Sequence, residues 1–83
     1  MSEVRLRVYG ATWCPDCRRS TAFLDGRGVA YDWVDVDSDE AASAEVVRLN
    51  SGARIIPTIV KPNGEFVAEP SDDALAAFLH LAP

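Results

Sequence analysis

The sequence predicts an α/β fold in which a four-stranded mixed sheet is flanked by three helices, in the order βαβαββα. Three observations predict it: two early segments with apolar residues at a period of two, a capped helical stretch after each, and an Asn63-Gly64 pair between two short β-rich segments. With 83 residues, 48% of them hydrophobic and 25% charged, the chain has enough apolar surface for one core, so a single domain over residues 1–83 is expected.

Val4, Leu6 and Val8 alternate with Arg5, Arg7 and Tyr9, which puts the first three on one face of an opening strand. Gly10, Ala11 and Thr12 read as a loop. Pro15 suits the first position of a helix, having no N–H to lose and a fixed φ, so a helix is expected over residues 15–25. Ser20, Phe23 and Leu24 share its inward side, and Gly26 and Gly28 are placed to end it. Residues 30–36 alternate again as a second strand. Asp37 or Ser38 is expected to cap a helix over residues 39–50, which Gly52 stops.

Residues 55–60 are β-rich, but Pro57 cannot donate to a ladder and must lie at the start of that strand or on an edge. Pro62, Asn63 and Gly64 make a hairpin turn into a partner strand over residues 65–68. Ser71 caps a last helix. Its Asp72 and Asp73 suit the positive end of the dipole, and Leu75, Phe78, Leu79 and Ala82 form an apolar stripe. Strand-helix-strand implies a parallel pair with a right-handed crossover, to which the hairpin adds antiparallel strands.

The net charge of −5 gives no positive field to attract phosphate backbones or anionic lipid, which argues against nucleic-acid and membrane partners. The first seven residues alternate charged and apolar side chains, with no apolar run of signal-peptide or membrane-span length, so a cytoplasmic location is expected. In that reducing compartment a cysteine pair is more often catalytic or metal-binding than a permanent staple.

Disulfide exchange needs a thiolate to attack and a second thiol close enough to resolve the mixed disulfide. Cys14 and Cys17, at i and i+3 where a helix opens, satisfy both needs. Cys14 is the expected nucleophile, because free N–H groups and the helix dipole should bring its pKa below the ~8.5 of a free thiol. Cys17, one turn further in, should be less exposed and should act as the resolving thiol. Asp16 within the turn opposes a neighbouring thiolate while Arg18 and Arg19 favour it; the expectation is that Asp16 makes Cys14 less acidic than a neutral residue would.

Other uses of these residues are weaker. A structural disulfide would close a very short loop for little entropic gain. Zinc needs four ligands as a rule, and beyond the two cysteines there is one histidine, His80, which reads as a last-turn residue complementing the helix dipole. Asp32, Asp35, Asp37, Asp39 and Glu40 read as a solvated face and helix cap, not as a metal site. Tyr31 and Trp33 read as strand residues. An iron–sulfur cluster shared between two chains stays open, since such clusters accept thiolates.

Trp13-Cys14-Pro15-Asp16-Cys17 after a first strand, Ile56-Pro57-Thr58 opening a third, and Ser71-Asp72 heading the last helix resemble the glutaredoxins, and in particular mycoredoxin-type members. The resemblance spans nearly the whole chain and implies a thioredoxin-like (glutaredoxin) fold and a thiol–disulfide oxidoreductase. It implies that Pro57 is cis beside the active-site sulfurs, that the backbone of Ile56 pairs with the thiol substrate, that Arg54 meets a substrate carboxylate, and that Ser71 and Asp72 lie near the substrate's polar end. Trp13 and Pro15 complete the implied substrate-binding set, Trp13 being similar to the residue found there in thioredoxins.

No bound cofactor is implied, and no metal. The cosubstrate would be a small thiol, mycothiol or glutathione; the oxidised partners would be protein disulfides or mixed disulfides, and a small thiol or a flavoprotein disulfide reductase would restore a monomeric protein. Glutathione-using members often carry a lysine just before the first cysteine and a glycine pair before the last helix. Ala11-Thr12 and Glu69-Pro70 occupy those positions here, which favours mycothiol or a protein disulfide. By analogy with related redox proteins, the potential is expected between about −270 and −200 mV. A thioredoxin-like protein reductase fed by a flavoprotein, and a dimeric cluster-binding module, are the alternatives.

Overall fold

A computed structural model describes residues 5–81. Its elements follow in the order β1 (Leu6–Gly10), α1 (Pro15–Gly26), β2 (Tyr31–Asp35), α2 (Glu40–Leu49), β3 (Thr58–Val60), β4 (Phe66–Ala68) and α3 (Asp72–Phe78). The strands form one sheet in the order β2-β1-β3-β4. β1 pairs in parallel with β2, Val8 opposite Trp33, while β3 pairs antiparallel with both β1 and β4. The expected βαβαββα order and mixed sheet are borne out.

Alternation along β1 divides the core between the two sheet faces. Leu6 and Val8 pack with Leu24 of α1, Ile59 of β3 and Leu75 of α3 on one side. Tyr9 points the other way and packs with Val36, Val60 and the α2 residues Ala42 and Val46. α1 and α3 therefore share one face and α2 covers the other. Phe78 and Leu79 of the expected stripe pack partly buried against the first cluster. Val4 and Ala82 lie outside the described residues.

Several boundaries differ from the sequence expectation, each for a local reason. Gly10 belongs to β1 and not to the following loop: it is in register with Asp35, and its carbonyl accepts from Val36 N–H at 3.0 Å. α1 continues through Gly26, and the turn to a left-handed backbone comes at Gly28, with φ 70°. The α2 cap is Asp39, which accepts from Ala42 N–H at 3.0 Å, in place of Asp37 or Ser38. β3 starts only at Thr58, because Pro57 has no N–H to donate to the ladder. His80 lies just past the last turn of α3, with φ 58°, and so is not a last-turn residue.

Neutral groups tie the two ends of the segment before β3. Asn50, at the end of α2, donates to the Thr58 hydroxyl at 3.1 Å, and that hydroxyl donates to the Ile55 carbonyl at 2.7 Å. On the other side Glu69 N–H donates to the Pro57 carbonyl at 2.8 Å. Ile56 and Pro57 are thus pinned between α2 and β4.

The short α3 depends on its cap, since a helix of this length gains little from its own propagation. Ser71 Oγ accepts from Ala74 N–H at 3.1 Å, as the sequence suggested. Ser71→Ala is expected to cost about 1 kcal/mol, read as a lowered urea midpoint at unchanged slope.

Candidate active site

β1 delivers the chain to the N-terminus of α1, and a turn closed by Cys14 N–H on the Ala11 carbonyl at 3.2 Å sets the first cysteine at the helix cap. Its backbone is extended there, with φ −82° and ψ 113°, and Pro15 begins the helix. The Cys14 sulfur accepts the Cys17 backbone N–H at 3.2 Å, so it fills the role that a cap oxygen usually fills. Arg18 Nε donates to the Thr12 carbonyl at 3.0 Å and fixes the turn from the far side.

Both cysteines are free thiols. Cys17 is fully buried and Cys14 retains 6% of its exposure, the ordering that the sequence predicts. Burial, then a hydrogen bond from Cys17 to Cys14, push the Cys17 thiol up to about 12. Cys17 therefore stays protonated at neutral pH and cannot compete as the first nucleophile. The same shift fixes a pH dependence of stability. The fold holds Cys17 neutral while the unfolded chain ionises near its ordinary value of 9.0, so this contribution is complete below that value and is lost as pH rises toward 12. Reduced wild type is expected to lose more urea resistance between pH 8 and pH 10 than reduced Cys17→Ala, in paired denaturation curves.

Around this pair the fold assembles most of the residues singled out in the sequence. Ile56 packs against Ala11, Cys14 and Cys17, and Pro57 beside it is fully buried. The cis bond at Pro57 agrees with what the family resemblance implied. Among the described residues, the Ile56 N–H donates to no acceptor. Trp13 is 60% exposed beside Cys14.

Arg54 does not sit alone: its NH2 group donates to Asp37 Oδ1 at 2.7 Å and its Nε to the Ser43 hydroxyl at 3.0 Å. Ser71 and Asp72 line an open cleft of about 460 Å³ together with Asp16, Arg19, Glu69 and Asp73. Arg19 ties that cleft together, donating to Asp16 Oδ1 at 2.7 Å, to Asp72, and to the Pro70 carbonyl at 2.7 Å. The Asp16 charge is thus met by a guanidinium rather than left facing Cys14 alone.

Three participants were not legible in the sequence. Asp37, read there as a candidate cap, accepts from Trp13 Nε1 at 2.6 Å and from Arg54, both of which hold its carboxyl below the usual carboxylate range. Gly10 makes room at the sulfurs: a side-chain carbon there would stand 2.8 Å from Cys17 Sγ and 2.8 Å from the Trp33 ring. Trp33, a β2 residue as the sequence reading has it, packs over Gly10 next to the buried thiol. No pattern signal marks any of these contacts. The remaining acidic residues behave as a solvated face: Asp35 accepts from Asp37 N–H and Ser38 Oγ, and Asp32 faces Arg5 at 3.5 Å.

A sulfur that caps a helix, with a second thiol kept protonated directly behind it, is arranged to pass two electrons through a disulfide. On this sheet order, that chemistry defines a thiol–disulfide oxidoreductase of the thioredoxin-like class. Known proteins agree. The family model described as Glutaredoxin matches residues 6–67. Mycoredoxin 1 of Corynebacterium glutamicum is 41% identical over 63 residues, which cover 76% of this chain and 77% of that protein.

Among solved structures, the thioredoxin-like protein BC3987 superposes with a TM-score of 0.77 at 32% identity, covering 88% of this chain and 97% of its own. A glutaredoxin from Archaeoglobus fulgidus shares the fold at a TM-score of 0.74 and 23% identity, over 94% of this chain and 88% of that one. The chain belongs to the glutaredoxin family. Glutaredoxins act on protein mixed disulfides with small thiols, which is the reaction class expected from the sequence. Among the described residues, no helix is long and apolar enough to cross a membrane.

Proposed function

We propose that this protein reduces disulfides and protein mixed disulfides through Cys14 and Cys17, with a small thiol, mycothiol or glutathione, as cosubstrate. The observation that supports this most directly is the Cys14 sulfur accepting the Cys17 N–H at the helix cap while Cys17 lies fully buried behind it. The Cys14 thiolate attacks a disulfide sulfur, forms a mixed disulfide and releases the first thiol. Cys17 then gives up its proton, attacks Cys14 Sγ and releases the second thiol, leaving a Cys14–Cys17 disulfide. Two electrons have passed to the substrate. An external thiol or a flavoprotein reductase returns them to the protein, which acts as a monomeric single domain with no bound cofactor.

In this reading Pro15 starts the helix that presents Cys14, and the Ile56 N–H and the Pro57 turn receive the substrate as an added strand. Trp13 flanks the bond under attack, Arg54 lies at one end of the bound thiol, and Ser71 and Asp72 lie at its polar end. A thioredoxin-like reduction of whole proteins is favoured by one feature, the broad exposed face of Trp13 beside the sulfur.

Incubating Cys17→Ser protein with glutathione or mycothiol mixed disulfides is expected to trap an adduct on Cys14, seen as the added mass of the small thiol. Cys14→Ser should trap none at comparable rate. Equal labelling of both variants would overturn the assignment of roles, and turnover supported by thioredoxin reductase alone would favour the protein-reductase reading.

A further inference from the structure

Two arginines of the site, Arg19 and Arg54, are occupied by the protein's own carboxylates. Arg19 faces Asp16 and Asp72, with Glu69 and Asp73 lining the same cleft. Two carboxylates therefore meet one guanidinium directly, and two more surround it. Elsewhere Arg54 pairs, among the described residues, with one carboxylate, Asp37, while its Nε takes the Ser43 hydroxyl.

Asp37 is well placed for this. Its backbone N–H is held by Asp35 Oδ1 at 2.9 Å, and one carboxylate oxygen takes Arg54 while the other takes the Trp13 indole N–H. A side chain fixed at both oxygens has little left to lose in entropy when it pairs, unlike an ordinary exposed ion pair.

We propose that Asp37 is a specificity-determining residue that fills the carboxylate position on Arg54 and tethers Trp13, so that the site disfavours small-thiol disulfides carrying a carboxylate at that end and accepts uncharged ones. This rests on the small-thiol reading given above. A substrate carboxylate reaching Arg54 must either displace Asp37, which also frees Trp13, or settle beside a like charge. Both raise the cost of binding an anionic thiol, and neither touches a neutral one. The Arg19 guanidinium in the acidic cleft is already taken by Asp16 and Asp72.

The test compares one peptide carrying a cysteine disulfide-bonded either to glutathione or to glutathione diethyl ester, which differ in their carboxylates. The second-order rate constants for reduction by the prereduced protein are measured for wild type and Asp37→Asn. Asparagine keeps an oxygen for Trp13 and loses the charge. The glutathione-to-ester ratio is expected to rise about tenfold in Asp37→Asn, the factor that ~1.4 kcal/mol represents. The rise should shrink in 0.5 M salt and should vanish in the Asp37→Asn, Arg54→Gln double variant.

A ratio that stays constant, or a gain of equal size on both substrates, overturns the inference and leaves the proposed function standing. If neither wild type nor variant reduces any small-thiol disulfide, while the same preparations reduce a protein disulfide, the small-thiol reading falls and the inference falls with it.

Discussion

Replacing Cys14 by serine is expected to lower the rate of disulfide reduction by more than about 10³-fold, with no loss of fold. The hydroxyl can still take the cap position and accept the Cys17 N–H that now binds sulfur at 3.2 Å. It cannot become a nucleophile at neutral pH, and the remaining thiol is buried, protonated and pushed up to about 12. The loss is therefore one of chemistry and not of structure. Cys17→Ser is expected to behave differently: it keeps the first half-reaction and accumulates a mixed disulfide that only an external thiol can clear. Stopped-flow rates with a peptide disulfide, alongside circular dichroism of both variants, separate the two effects. Near-wild-type rates in Cys14→Ser would show that another group starts the reaction.

The second large effect is expected at Gly10, where the reason is space. A methyl group there would stand 2.8 Å from Cys17 Sγ and from the Trp33 ring, closer than side-chain carbons approach in practice. Trp33 is 39% exposed and can swing outward, whereas Cys17 sits inside α1 with no exposure and cannot yield without moving the helix. Gly10→Ala should accordingly destabilise by about 1–3 kcal/mol, and Gly10→Val by more. For a chain of this size each kcal/mol corresponds to roughly 4–8 °C in melting temperature. Gly26→Ala is the matched control: nothing lies within 4 Å of its added carbon, and it should be neutral or stabilising. Equal melting temperatures for Gly10→Ala and wild type would mean that the turn carrying Cys17 shifts freely.

What the sequence made legible was carried by local signals. The Cys14–Cys17 spacing with Pro15 between them placed the sulfurs at a helix start, and Ser71 three residues before Ala74 announced the α3 cap. Asn63-Gly64 announced the hairpin, where Gly64 has φ 95°. The α2 cap was missed because three adjacent residues, Asp37, Ser38 and Asp39, are all good caps. The choice depends on how the preceding turn folds, and Asp35 draws in both Asp37 N–H and the Ser38 hydroxyl. Asp37 is thereby turned toward Trp13 and Arg54, which lie 24 and 17 residues away in the chain. No window of periodicity spans such distances. Gly10 was misread for a related reason: in sequence a glycine marks a turn, while here the missing side chain is what lets a strand, a buried thiol and an indole meet.

The link from Asn50 through the Thr58 hydroxyl to the Ile55 carbonyl contains an amide, an alcohol and a peptide oxygen, none of which gains or loses a proton in water at ordinary pH. That link therefore holds Ile56 and Pro57 alike across ordinary pH, while Arg54 in the same segment is held through the Asp37 carboxylate.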